Sequence, residues 1–535
     1  MMKIKIFNKH NYILIAILVI AAVLRLNHIT QPFTDYIGWR QTSTAMMADN
    51  FYRTNWNIFY PETSWDGPGP SYQGREFQTI TYISALLYVI LGQHDWIGRG
   101  VAVAFGLWGI FALYQLVRQV WGENYALASA AVMAILPGSV FVERSFLPDP
   151  AMVSLVVTAF WVLIKYLNTE KIYYLILGIL IGTWSFLTKI PGLIVGIPML
   201  YSVFTILSKK HQLNAKKLIP IATSAIFILL PVVFYYLWAK HLAETYPPYH
   251  FAGGGNWIWD YSLKEWLDKK YYFPSLTWNF NRWIWTKPFA LLVLLGIVLP
   301  PPYSKWSGED NKLSSNNNFI RLPWIFHWWV LGFSIFYLIG AKELVINAWN
   351  FHSLNPAAAA FAGHALIKIK NYLSNFLKTP ASLAIILAIL FIFGGYGQKK
   401  LNNMYFPPEA EWDGTEGYKM GLVLKEVSKP GELVVTVSND IGEPVPIYYS
   451  SRRGWVFPPP LNEINWTQMV EDKQAIKLFE DLRRKGADWF GIVQEHREKF
   501  LEEHPVFMEY ITKTCSLAKE DLSWGVIYKI PDYER

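Results

Sequence analysis

Asp35 lies in the stretch TQPFTDYIGWRQTST, a few residues beyond the first apolar run, with Arg40 and Gln41 just after it. A carboxylate at a membrane surface is placed to act as general base for an acceptor hydroxyl, and a nearby Arg can hold a phosphate through charge-assisted hydrogen bonds. The plain alternative is a solvated loop carboxylate. Farther along the same segment, YQGREFQ supplies Arg75 and Glu76. In ERSFLPDPAMV, Asp149 sits between Pro148 and Pro150, with Glu143 and Arg144 shortly before. A charge so close to an apolar helix is costly unless it is paired or faces a polar cavity. Asp149 also suits a helix N-cap, because Pro150 fits the first helical turn. Lys189, in SFLTKIPGL between two apolar runs, needs an anion or must snorkel to the interface. Lys342, Asn350 and His352 are the polar candidates of GAKELVINAWNFHSLNP. For His352 a structural or interfacial role competes with a site role.

The elements that must position these residues are membrane helices. Hydrophobic residues make up 53% of the 535, aromatic residues 17% and charged residues 16%, outside the usual range of soluble domains. The 25 Trp, 31 Tyr and 33 Phe suit the headgroup level at the two faces of a bilayer. With about 20 apolar residues needed per span, the chain predicts about eleven spanning helices. They fall at 11–28, 97–118, 124–144, 149–167, 171–188, 190–208, 218–240, 287–303, 323–341, 354–370 and 380–397. The stretch 77–92 is short and carries Gln78, Thr79 and Thr81, so it reads as re-entrant or interfacial. The basic N-terminal residues and the first apolar run are followed by no convincing cleavage site, which predicts a retained helix.

With this count Lys3, Lys5 and Lys9, Arg118, Lys171, the Lys209–Lys217 loop, Arg321 and Lys368–Lys378 all fall on the inner side. The outer side then receives 29–96, 241–286 and the polar C-terminal part. The expected architecture is an α-helical polytopic membrane domain over 1–400, with outer loops 29–96 and 241–286, and a soluble extracytoplasmic α/β domain over 401–535. In that domain GELVVTVSND and VPIYYSS read as strands, DKQAIKLFEDLRRKGADWFGIV as helix then strand, and WGVIYKI as a last strand. Gly454 and Gly486 read as turn or C-cap glycines. SSNNN at 314–318 reads as a flexible inner loop.

The order of these features resembles the GT-C superfamily of membrane glycosyltransferases, in particular the aminoarabinose transferase and protein O-mannosyltransferase group. They are an outer-loop Asp after the first helix, a Glu-led juxtamembrane segment ending GxxxxxGR, and a Pro-Asp outer turn two spans later. The resemblance covers roughly residues 10–370. It implies an inverting displacement in which Asp35 is the catalytic carboxylate and Asp149 a second acidic member of the site. It implies further that cations among Arg40, Arg75, Lys189 and Lys342 hold the phosphate of a polyprenyl-phosphate sugar donor. SFLTKIPGL resembles the family's TKG-type turn, and the Lys342–His352 stretch its outer loop near the donor phosphate. The chain departs from the family in having Tyr36 where a Glu often follows the first-loop Asp. In the juxtamembrane segment Arg75 stands in for a Lys ahead of a Pro.

The implied partners are a polyprenyl-phosphate sugar, membrane lipids, and an acceptor lipid, protein or glycan, with an integral plasma (inner) membrane location and an extracytoplasmic C-terminus. The net charge of +8 is spread over short loops with no basic arm, which argues against nucleic acid. The single Cys515 and the scattered histidines offer no zinc signature, while a carboxylate-held divalent cation stays open. A transporter or flippase of lipid-linked glycan is the rival reading, disfavoured by the lack of internal repeats and of midplane charges. A glycan-binding receptor would leave the loop carboxylates without a task. The identity of sugar and acceptor is not legible at this level.

Overall fold

The computed structural model describes residues 9–251, 257–267, 277–278, 280–304, 319–407, 414–438, 443–458 and 471–533. The SSNNN segment lies outside them. The chain divides into two compact units: Met1–Ile29, Arg99–Leu237 and Gly253–Asn402 form one, and Thr30–Gly98, Trp238–Ala252 and Asn403–Arg535 the other.

The first unit is helical, and the chain is an integral membrane protein. Among the described residues seven helices are long and apolar enough to cross a bilayer, or eight if one bent pair is a single span. Each of the eleven apolar runs carries helix, but several are not simple rods. The run 124–144 is two helices, Glu123–Ile135 and Pro137–Glu143, bent by 63°. The residue before a proline is pushed out of the α region, and Leu136 accordingly has ψ of 121°. Ile172–Thr188 has 17 residues and Thr286–Val298 has 13. At 1.5 Å per residue both fall short of a bilayer core of about 30 Å. Small residues let backbones approach inside this unit: a Cβ on Gly296 would meet the Phe361 carbonyl oxygen at 2.0 Å, and one on Gly363 the Ser129 nitrogen at 2.6 Å.

The second unit is built on a six-stranded sheet: β1 (Asp66–Gly67), β2 (Leu433–Val437), β3 (Arg453–Val456), β4 (Ala487–Ile492), β5 (Ser516–Asp521) and β6 (Gly525–Lys529). The spatial order is β1-β3-β2-β4-β6-β5, with β2 parallel to both β3 and β4 and the remaining pairs antiparallel. One face buries Val435, Phe457, Phe479, Phe490, Phe500 and Phe507. The other buries Val434, Met420, Leu424 and Ile527, together with Met46 from helix Gly38–Arg53.

Segment 29–96, expected as a loop of the membrane domain, therefore shares a core and a sheet with the C-terminal residues. The expected strand VPIYYSS is instead helix Val445–Ser450. Pro444 and Pro446 suit a first helical turn but withhold ladder donors from a strand. Gly486 has φ of +91° just past helix Asp472–Arg484, as expected of a C-terminal cap. Gly454, expected in a turn, lies within β3, where a Cβ would meet the Val434 carbonyl oxygen at 1.7 Å. Stretch 77–92 is a short apolar helix, Thr79–Leu91.

Candidate active site

In the membrane unit, helix Asp149–Thr169 begins at the aspartate, and neither Asp149 nor Pro148 caps the turn with its side chain. The N-cap alternative is therefore not realised. Both carboxylate oxygens accept from Lys189 Nζ, at 2.8 and 2.9 Å. Lys189 follows helix Ile172–Thr188 with extended φ and ψ of −166° and 132°, ahead of the 3-10 turn that Pro191 enters. That break carries the side chain inward rather than along the helix. The third ammonium donor goes to Asn350 Oδ1 at 2.6 Å. Asp149 is 0% exposed and Lys189 and Asn350 are 7% exposed each, so a carboxylate, an ammonium and an amide are held together away from bulk water. Lys189 does not snorkel.

A second buried cluster lies in the same unit. Arg25 Nε donates to Glu143 Oε2 at 2.7 Å, and the rest of its guanidinium donates to the carbonyls of Ala21, Met133 and Ala134. His352 Nε2 lies 3.3 Å from Glu143 Oε1, and Asn355 Nδ2 lies 3.0 Å from His352 Nδ1. Arg25 stands at the end of the first apolar helix and had no signal beyond its charge. Arg144 donates to the His28 carbonyl at 2.9 Å. Lys342 lies just after the non-helical Gly340 in helix Ile325–Ile346, with its ammonium 3.4 Å from the centroid of Tyr261, a cation–π contact.

In the other unit, Asp35 is buried at 1% exposure. Its Oδ1 accepts from Gln41 Nε2 at 2.6 Å. Asp35 and Gln41 meet because helix Gly38–Arg53 starts between them. The start is tight, since a Cβ on Gly38 would meet the Phe33 carbonyl oxygen at 2.3 Å. One turn holds Arg40, whose Nη2 donates to both oxygens of Glu76 at 2.9 and 3.1 Å. Arg40 Nη1 is buried with no hydrogen-bond partner among the described residues. Arg75 donates through Nη2 to Ser43 at 2.6 Å and through Nε to Gln73. The expected site residues thus form the pairs Asp149–Lys189, Glu143–His352 and Arg40–Glu76. Asn350 joins the first of these through Lys189, and Asp35 stands apart from them with Gln41. Among the described residues no group of three or more His, Cys, Asp or Glu is arranged to hold a metal ion.

Nearly the full chain aligns with solved structures. ArnT from Cupriavidus metallidurans, in its apo state, aligns over 96% of this chain and 97% of its own with a TM-score of 0.60 at 12% identity. The chain has the GT-C fold. ArnT from the same organism bound to undecaprenyl phosphate aligns with a TM-score of 0.59 at 12% identity, over 98% of each chain. The Archaeoglobus fulgidus oligosaccharyltransferase, in complex with Zn and sulfate, aligns with a TM-score of 0.55 at 13% identity, over 96% of this chain and 72% of that one. In sequence, residues 79–238 match the model of the dolichyl-phosphate-mannose-protein mannosyltransferase family. Two Bacillus subtilis proteins described as mannosyltransferases, YkcB and YycA, are each 26% identical over 178 and 203 residues, 33% and 38% of this chain. The matches span only 24% and 28% of those relatives. The matched stretch contains Glu143, Arg144, Asp149 and Lys189, whereas Asp35, Arg40, Arg75, Lys342 and His352 lie outside it.

Proposed function

We propose that the chain is an inverting glycosyltransferase that moves a sugar from a polyprenyl-phosphate donor to a hydroxyl on an acceptor lipid, protein or glycan at the outer face of the plasma membrane. The observation that carries this reading is the GT-C fold over nearly the full chain, shared with a structure that holds undecaprenyl phosphate. The buried Lys189–Asp149–Asn350 contact supports it, because a membrane protein rarely keeps such charges without a use for them. The accompanying topology has eleven spans, the bilayer thinning locally around the short helices Ile172–Thr188 and Thr286–Val298, with the Lys209–Lys217 loop inside and the C-terminus outside.

In this mechanism the acceptor oxygen attacks the anomeric carbon on the face opposite the phosphate. The new C–O bond forms as the bond to phosphate oxygen breaks, and that electron pair departs on the polyprenyl phosphate. Asp35 takes the acceptor proton, oriented by Gln41. The departing phosphate is held by some of Arg40, Arg75, Lys189 and Lys342, and Arg40 has a buried donor without a partner among the described residues. Fixed cations of this kind act by preorganised electrostatics, worth a few kcal/mol each. Asp149 aims the Lys189 ammonium, and Asn350 is the neutral partner whose place a phosphate oxygen would take.

Purified full-length protein incubated with labelled polyprenyl-phosphate sugars should release free polyprenyl phosphate when an acceptor extract is supplied. Mass spectrometry of co-purifying lipid names the donor. Absence of release from every donor, with movement of those lipids across vesicle bilayers, would replace the transferase by a flippase.

A further inference from the structure

The sheet-containing unit encloses a cavity of about 310 Å³ that the transfer chemistry leaves unused. Small-molecule sites start at about 300 Å³, so the space suits a ligand of one or two rings. Its wall begins with β1, which pairs antiparallel with β3 so that Asp66 stands directly opposite Trp455. Cross-strand partners project on the same side of a sheet, and this register sets a carboxylate beside an indole. Lys485, at the C-terminal end of helix Asp472–Arg484, brings an ammonium to the lining, and Tyr249, 67% exposed, forms the rim.

The wall is preformed. Arg453 Nη1 donates to Glu62 Oε1 at 2.9 Å, its Nη2 to the Thr63 carbonyl at 3.0 Å and its Nε to the Gly67 carbonyl at 3.3 Å. Gly67 and Gly69 have φ of +95° and +100°, and a Cβ on Gly69 would meet the Arg453 guanidinium at 2.8 Å. Pro70 and Pro247 add rings with fixed φ to the same lining. A rigid concave wall reduces the ordering cost of binding.

The lining discriminates among ligand classes. A purely anionic ligand meets Asp66, a purely cationic one meets Lys485, and a purely apolar one would strip water from both. A neutral ring with hydroxyls on its edge and C–H bonds on its face satisfies all the groups. Hydroxyls donate to the carboxylate and accept from the ammonium, while the C–H face rests on the aromatic rings. Burial pushes the Asp66 carboxyl up to about 6 despite Lys485, so at neutral pH it is an ionised acceptor close to its titration. We propose that this cavity is a saccharide-binding site taking one or two pyranose units of a neutral glycan through Asp66, Lys485, Trp455 and Tyr249. It rests on the cavity lining and not on the transferase reading.

The test is ligand-observed saturation-transfer NMR on the full chain in lipid nanodiscs free of sugar-headed detergent, with glucose, galactose, mannose, N-acetylglucosamine and their β-linked disaccharides as probes. At least one probe should give saturable binding. Asp66→Asn and Tyr249→Ala should each weaken it about tenfold or more, the effect of losing one charge-assisted contact or one ring face. Asn keeps the size of Asp66 and Tyr249 is exposed, so both variants should retain the wild-type melting temperature. Binding should persist in Asp35→Asn. Failure of every probe to saturate by tens of millimolar overturns the proposal. So does binding that ignores both cavity variants or that disappears in Asp35→Asn.

Discussion

Ion pairs of nearly equal length do different work in the two units. Lys189–Asp149, at 2.8 Å, has side chains 8% and 0% exposed, while Lys499–Glu495, at 3.0 Å in helix Gln494–Glu503, has 39% and 59% exposed. The surface pair is one helical turn apart and can exchange for water at almost no cost. The buried pair joins residues 40 positions apart and is shielded from bulk solvent. Its desolvation cost offsets much of its Coulombic gain, so its presence is poor evidence of stability and better evidence of a task. The lesson is that distance alone does not rank charged residues; burial and the separation of the partners along the chain do.

The largest expected effect probes a buried carboxylate in the other unit. Asp35→Asn preserves size and the contact with Gln41 but cannot accept a proton, so turnover should fall by roughly 100- to 10,000-fold. Donor binding, followed by retention of labelled lipid, should change much less. Near-normal turnover in this variant together with loss in Asp149→Asn would move the base to Asp149.

Next come the partners of the buried pair. Lys189→Met or Asp149→Leu alone leaves an uncompensated buried charge and should cost about 3–5 kcal/mol in thermal or denaturant unfolding. The double variant should recover much of that loss while remaining inactive. Two single losses that simply add would mean that the pair is not coupled, and the contrast between the units would lose its basis. Lys189→Ala should also weaken donor binding as well as turnover, since a cation on the phosphate acts in ground and transition states alike.

An intermediate case is Glu432, which accepts from the Lys429 amide at 2.6 Å, Trp489 Nε1 at 2.8 Å and Lys529 Nζ at 3.0 Å. Burial alone would raise its carboxyl, but these donors together bring it from 4.5 down to about 2. A carboxylate depressed in the folded state contributes stability that is present above its unfolded value and is lost as pH falls toward the folded one. Glu432→Gln should therefore cost about 1–2 kcal/mol at neutral pH, after discounting for its partial exposure to water. Melting curves of variant and wild type should converge between pH 4.5 and about 2. Parallel curves across that window would show that the three donors do not favour the ionised form. The smallest effect belongs to the surface pair: Lys499→Ala should shift stability by no more than about 0.5 kcal/mol.

Composition and apolar periodicity were enough to show a membrane protein, because the need to satisfy backbone groups in hydrocarbon leaves a strong one-dimensional signal. The eleven apolar runs, strands β2, β4 and β6, helix Asp472–Arg484 and the cap at Gly486 were all legible, since each depends on residues within one or two turns. The motif order around Asp35, Asp149 and Lys189 also led to the GT-C fold. Tertiary structure decided what depends on distant partners. It paired Lys189 with Asp149 and Asn350, brought Arg25 to Glu143 across 118 positions, and put β1 in a sheet whose other strands begin at Leu433. Helix Val445–Ser450 was missed because its aromatic and branched residues favour a strand locally, while the prolines at its start and its packing favour a helical turn. Pairings of this kind leave no periodicity in the chain. They arise when buried charges must find partners and a sheet edge must be covered, and only the folded arrangement determines which residues are within reach.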